Sequence, residues 1–292
     1  MAKKNRVLLG IYLCLLFVLA LSGCSRQNQQ ANTIQIKGSD TMVNLGQAWA
    51  EEFMKADPKV SVAVTGGGSG TGIAALLSNT CDIAELSREL KPEEIEIARK
   101  KGFEPKQITV ALDGLAVVVH PANPLSQLTQ DQLAAIFSGS VSNWKEIGGS
   151  DLPIVVLSRE VNSGTHVYFK EHVLRRGRKD SQVEFAATAL MLPSSQAIAD
   201  EVAQNPGAIG YYGMGYISPR EKALAIAKDA DSPYVQPTIE NVISNAYPIS
   251  RPLLMVSRGE PKGLVASFLD FVLSGAGQKI VVKIDFVPVK SY

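Results

Sequence analysis

Three stretches of the chain join an apolar, β-rich run to a turn of Gly, Ser and Thr and then to residues of helical spacing: IQIKGSDTM (34–42), VSVAVTGGGSGTGI (60–73) and PIVVLSREVNSGTH (153–166). At a helix start the first backbone N–H groups have no intrahelical partner, and the helix dipole adds roughly half a positive charge. Such an end holds an oxyanion, the more so where Gly lets the backbone approach and a Ser or Thr hydroxyl adds a donor. A single Ser39-Asp40-Thr41 reads as an ordinary N-cap. Three such turns in one chain predict donors that converge. Arg159, four residues before Ser163-Gly164-Thr165, is close enough for its planar fork to reach an anion held at the third turn.

The glycine loop at 66–72 excludes nucleotide chemistry of the familiar kinds. It has no Lys where a phosphate-binding loop requires one, and no window satisfies G-x-G-x-x-G. Thr71 stands where G-x-S-x-G needs its last Gly. What the loop offers is N–H groups and the hydroxyls of Ser69 and Thr71. His120, His166 and His172 are too few and too separated for a zinc site, and His166 reads as a helix residue rather than a catalytic base. A hydrolytic enzyme would need a metal cluster or an activated nucleophile, and neither pattern occurs. No cofactor is expected.

Short β-rich runs (IQIKG, VSVAVTG, CDIAELS, ITVALDGLAVVVH, LPIVVLS) alternate with helical patterns such as NLGQAWAEEFMKAD and PEEIEIARKKG. That alternation predicts an α/β fold with largely parallel sheets and ligands at the carboxyl ends of strands. The run at 108–120 is long enough to leave one sheet for another, and YPISRPLLMVS (247–257) is a second long extended segment before the helical GLVASFLDFVLSG. Two such segments predict two crossings between two lobes, with residues 34–119 and 247–292 in one and 120–246 in the other. Trp49, Trp144 and the segment GAIGYYGMGY (207–216) are expected in packing roles, and RRGRK (175–179) as a basic surface turn.

The N-terminus sets the compartment. Lys3, Lys4 and Arg6 precede an apolar run at 7–21 that is too short for a comfortable membrane span, which is the layout of a secretory leader. The run ends in Leu21-Ser22-Gly23-Cys24, which resembles the lipid-attachment motif of bacterial lipoproteins. Residues 1–23 are then the leader, Cys24 the lipid acceptor, and polar residues to 33 a tether. Loss of Lys3, Lys4 and Arg6 takes the balance of 29 Lys+Arg against 28 Asp+Glu to two net negative charges, so bulk charge does not point to nucleic acid. Cys14 lies in the leader, and Cys81 has no partner for an internal disulfide.

Together, G-S-D-T, G-G-G-S-G-T-G and R-x-x-x-S-G-T, in this order after a lipoprotein leader, resemble the phosphate-binding proteins of the bacterial phosphate-specific ABC importer. The resemblance runs from Ile34 to the end. It implies a two-lobed periplasmic-binding fold, an extracytoplasmic receptor on a lipid anchor, and delivery of phosphate to permease subunits and their ATPase. It further implies phosphate contacts from Ser39, Thr41 and Met42 at the first turn, Ser69 at the second, and Arg159, Ser163, Gly164 and Thr165 at the third. Ser87 falls where some members carry an acid that accepts the ligand's proton. With Ser there, Asp113, a carboxylate within an apolar run, is the expected acceptor, and Asp40 is the second choice. The tetrapeptide Leu-Ser-Arg-Glu occurs at 86–89 and again at 157–160, so the first copy brings Ser87 to the cleft and the second brings Arg159. Arg88 is expected to neutralise Asp113 or Glu89, with contact to the ligand as the alternative. A receptor for another oxyanion, sulfate or molybdate, is the alternative that Ser87 keeps open.

Overall fold

The computed structural model describes residues 32–290; the leader and Cys24 lie outside the described residues. The strands are β1 Thr33–Gly38, β2 Ser61–Thr65, β3 Ile83–Leu86, β4 Pro105–Val119, β5 Gln127–Thr129, β6 Val155–Arg159, β7 Leu190–Leu192, β8 Ala208–Gly213, β9 Lys222–Ala223, β10 Ala225–Ala227 and β11 Ser250–Arg258. The helices are α1 Val43–Ala56, α2 Ser69–Leu77, α3 Pro92–Lys100, α4 Gln130–Phe137, α5 Gly164–Phe169, α6 Ser195–Gln204, α7 Ile239–Ile243, α8 Gly263–Val272 and α9 Gly275–Lys283. The alternation expected from the sequence is present. The fold is α/β.

The main sheet runs β2-β1-β3-β11-β4-β8-β6-β7. β2, β1 and β3 are parallel, as are β8, β6 and β7, whereas β11 and β4 run antiparallel to their neighbours. β4 changes partner along its length: Pro105–Gly114 pairs with β11, and Leu115–Val119 pairs with β8. One strand therefore serves both halves of the molecule; its last seven residues are all buried, and Leu115–Val119 supply core to the second half.

Each half buries its sheet between helices. Ile34, Ile36, Ile83 and Met255 pack with Leu45 and Trp49 of α1 and Phe268 of α8, while Ala84, Leu86, Leu254 and Val256 meet Ile73 and Leu76 of α2 on the other face. In the second half, Ala116, Val118 and Leu157 pack with Ile198 and Val202 of α6, and Val117, Ile209 and Tyr211 with Phe137 and Phe169. Burial on both faces is why these parallel strands read as near-continuous apolar runs rather than as alternations. Local chemistry agrees with the packing. α1 buries Leu45, Trp49 and Ala50 on one face, and α3 starts at Pro92 with Glu93 and Glu94 in its first turn and ends with Arg99 and Lys100, matching its dipole. Trp144 is buried in the core with its indole N–H bonded to the Gly207 carbonyl. Cys81 is a buried free thiol, pushed up to about 12 by burial.

Candidate functional site

All three predicted turns sit where a strand ends and a helix begins. β1 runs into a single turn of 3-10 helix, Asp40–Met42, before α1; β2 leads to α2; β6 leads to α5. The side chains that follow the carboxyl ends of β1, β2, β3 and β6 converge. Thr41 Oγ1 lies 2.8 Å from Thr165 Oγ1. Ser87 Oγ lies 3.5 Å from Thr165 Oγ1 and 3.4 Å from Ser69 Oγ, which in turn accepts the Ser87 N–H at 3.1 Å. All four side chains are buried. Thr41, Ser69 and Ser87 belong to the first half of the chain, and Thr165 reaches them from the second.

A cation that sequence reasoning missed points into this cluster. Arg251, on β11, donates from Nη2 to Thr165 Oγ1 at 3.1 Å and to Thr41 Oγ1 at 3.5 Å. Its Nη1 donates to the Ser87 carbonyl at 3.0 Å. Its Nε and Nη2 both donate to Asp113 Oδ2, at 3.0 and 2.8 Å, and the Met214 N–H donates to Asp113 Oδ1 at 3.0 Å. Both side chains are inaccessible to solvent. Burial raises the Asp113 carboxyl, while Arg251 and the Met214 N–H oppose that rise. A guanidinium keeps its proton in proteins, so the pair is ionic. The signal was available: Arg251 is a charge inside an apolar strand-like run, the same anomaly that singled out Asp113.

Arg159 is placed differently. Its Nη2 donates to Asp40 Oδ2 at 2.7 Å and to the Pro193 carbonyl at 2.8 Å, its Nη1 to Ser195 Oγ at 3.2 Å, and its Nε to the Leu192 carbonyl at 3.3 Å. Asp40 Oδ1 also accepts the Gly67 N–H at 2.9 Å. Arg159 and Asp40 thus form a bridge between the third turn and the first. The loops beside it add two contacts: Gly70 N–H to the Asn162 carbonyl at 2.9 Å and Asn162 Nδ2 to the Gly67 carbonyl at 2.8 Å. Gly68 is needed here, because its φ of 90° is left-handed and a Cβ would stand 2.8 Å from the Asn162 carbonyl oxygen.

The remaining expected residues line the same place in other ways. Ser163 caps α5, its hydroxyl accepting from the N–H groups of Thr165 and His166. Gly164 lies so close to the hydroxyls that a Cβ would be 2.3 Å from Ser69 Oγ and 2.7 Å from Ser87 Oγ. Ser39 is buried with a hydroxyl that has no partner, and the Met42 N–H is engaged by the Ser39 carbonyl at 3.0 Å, with the Met42 side chain in the core. Arg88 corrects an expectation. It neutralises neither Asp113 nor the Glu89 carboxylate but forms a two-pronged pair with Glu94, at 2.8 and 2.7 Å, and donates to the Glu89 carbonyl. The reason is α3, whose first turn brings Glu94 back toward the end of β3. His166 is buried beside Ser158, which also bonds Tyr211, and burial pushes its imidazole down to about 4. In the basic turn, Arg175 is held by Glu184 and Arg176 by Asp131, while Arg178 and Lys179 are exposed.

The family model described as a PBP superfamily domain matches residues 25–276. The phosphate-binding protein PstS of Pseudomonas aeruginosa is 34% identical over 268 residues, covering 86% of this chain and 81% of that one. The PstS of Bacillus subtilis is 29% identical over 98% of this chain and 95% of its own length. Among solved structures, one with bound phosphate from Clostridium perfringens, described as a phosphate ABC transporter substrate-binding protein, superposes with a TM-score of 0.79 at 35% identity, over 89% of this chain and all of that one. An ABC-type phosphate transport receptor from Vibrio cholerae gives a TM-score of 0.69 at 31% identity, over 88% of this chain and 99% of that one.

Proposed function

The chain belongs to the PBP superfamily and, within it, to the family of the phosphate-binding protein PstS, and on that footing we propose that it is an extracytoplasmic receptor that captures inorganic phosphate and delivers it to an ABC permease and its ATPase. The observation that carries the reading is the convergence of Thr41, Ser69, Ser87, Thr165 and Arg251 on one buried point between the two halves of the chain. Hydroxyls, helix-start N–H groups and one guanidinium replace the hydration shell of an oxyanion with fixed dipoles. In this site Asp113 holds Arg251 in place. Arg159 with Asp40 closes the halves over the anion, and Ser39, Met42, Ser163 and Gly164 shape the walls.

We place the lobes at residues 34–119 with 247–292, and at 120–246, and the change of partner at Gly114–Leu115 in β4 supports one crossing near the first boundary. Phosphate shifts the population toward the closed form because both lobes supply donors to it. The role is capture, not catalysis: the hydroxyls meet one another and a guanidinium, and His166 is committed to Ser158. A lipid on Cys24 holds the receptor at a bacterial membrane, with the residues between it and β1 as tether.

Phosphate binding to the folded state raises its stability by mass action, so the melting temperature rises with phosphate concentration. Gly164→Ala puts a methyl against Ser69 and Ser87 and abolishes that rise. A melting temperature indifferent to phosphate in the unaltered protein contradicts the reading.

A further inference from the structure

We infer that this site selects its anion without a carboxylate, so that sulfate, a tetrahedral dianion with no proton, is taken alongside phosphate; the inference rests on the phosphate reading above. Phosphate near neutral pH keeps a P–OH, which needs an acceptor, and sulfate has none. An acid side chain facing the anion would accept that proton and repel sulfate.

Of the acids around the cluster, Asp113, Asp40 and Glu94 are committed elsewhere. Asp113 has one oxygen taken by two Arg251 donors and the other by the Met214 N–H. Asp40 has one oxygen on Arg159 and the other on the Gly67 N–H. Glu94 is taken by Arg88. Glu85, two residues before Ser87, is buried with both carboxyl oxygens unpartnered. It faces α1, with its Oε1 packed where a Cβ on Gly46 would come within 2.5 Å.

What faces the cluster is four hydroxyls and Arg251. A hydroxyl both donates and accepts. One that accepts from P–OH turns its own proton to a neighbour, which the 2.8 to 3.5 Å contacts among Thr41, Thr165, Ser87 and Ser69 permit. The same hydroxyl donates to sulfate, and neither anion meets a negative charge. Ser87 is the specificity-determining position. Its N–H is fixed by Ser69 Oγ and its carbonyl by Arg251, so its side chain is held toward the other hydroxyls.

The test is calorimetric titration of the purified protein with phosphate and separately with sulfate, at about pH 6.5 and about pH 8, beside the variant Ser87→Asp. The expected result is a sulfate Kd within about tenfold of the phosphate Kd, a gap of about 1.4 kcal/mol or less. In Ser87→Asp the ratio of the sulfate Kd to the phosphate Kd is expected to rise roughly a hundredfold or more, since like charges in a desolvated site repel strongly. Sulfate binding roughly a thousandfold weaker than phosphate in the unaltered protein overturns the inference and leaves the phosphate reading standing. Binding of neither anion overturns both. The unaltered protein decides the matter even where Ser87→Asp does not fold.

Discussion

Asp113 and Arg251 face each other in register on the antiparallel strands β4 and β11, 138 residues apart in the chain, with two guanidinium N–H groups on one carboxylate oxygen. The pair lies under the hydroxyl cluster, and the same Nη2 that holds Asp113 reaches Thr165. It therefore sets both the stability of the strand pairing and the place of the cation offered to the anion.

Removing one partner of such a buried pair leaves an uncompensated charge and costs about 3–5 kcal/mol. Asp113→Ala is expected to lose stability of that order in urea unfolding and to weaken phosphate binding as well, because Arg251 loses its anchor. Arg251→Met is expected to weaken phosphate roughly ten- to hundredfold, the range of one hydrogen bond to a charged group. Calorimetry on both variants checks this, and unchanged affinity in Arg251→Met removes the cation from the site.

The Asp40–Arg159 bridge joins the two halves at 2.7 Å. Asp40→Asn keeps the size and removes the charge that Arg159 meets. The expected outcome is a larger radius of gyration by solution scattering without phosphate, with contraction when phosphate is added. An unchanged radius contradicts the latch role.

Glu85 is a buried carboxyl with no partner, pushed up to about 8 by desolvation. Unfolded, it ionises near 4.5. Between those values the folded state binds the extra proton, so this group's contribution falls as pH rises from 4.5 to about 8 and is flat above. Glu85→Gln is expected to flatten that decline and to melt higher than the parent at pH 8. A change of 1 kcal/mol corresponds to roughly 2–4 °C in a chain of this size.

His166 has the opposite sign. Its folded value of about 4 is below the ordinary 6.5, so the stability it contributes is present above 6.5 and is lost as pH falls toward 4. Its ring resonances are expected to titrate near 4 by NMR. A midpoint at 6.5 contradicts its burial.

Much of this arrangement is legible in the chain because it is local. The run NLGQAWAEEFMKAD becomes α1, and the three Gly, Ser and Thr turns fall at strand-to-helix junctions, since capping residues and hydrophobic period act within a few residues of one another. Long-range partners are not legible in the same way. The apolar pattern of β4 is continuous through Gly114 and Leu115, although its neighbour changes there from β11 to β8. Arg88 and Arg251 are both Arg near strand ends, and only the path of α3 and the register of β11 decide that Glu94 takes the first and Asp113 the second. Arg159 stands four residues before Ser163-Gly164-Thr165, yet its donors go to Asp40, Ser195 and two carbonyls, partners that spacing along the chain does not reveal.

The measurement that bears most directly on the central claim is a crystal structure of the protein grown with phosphate. The account predicts a phosphate within hydrogen-bond reach of Thr41, Ser69, Ser87, Thr165 and Arg251, with Asp113 still on Arg251 and Asp40 still on Arg159. A phosphate bound away from these five side chains, or held by Arg159 with Arg251 uninvolved, contradicts it.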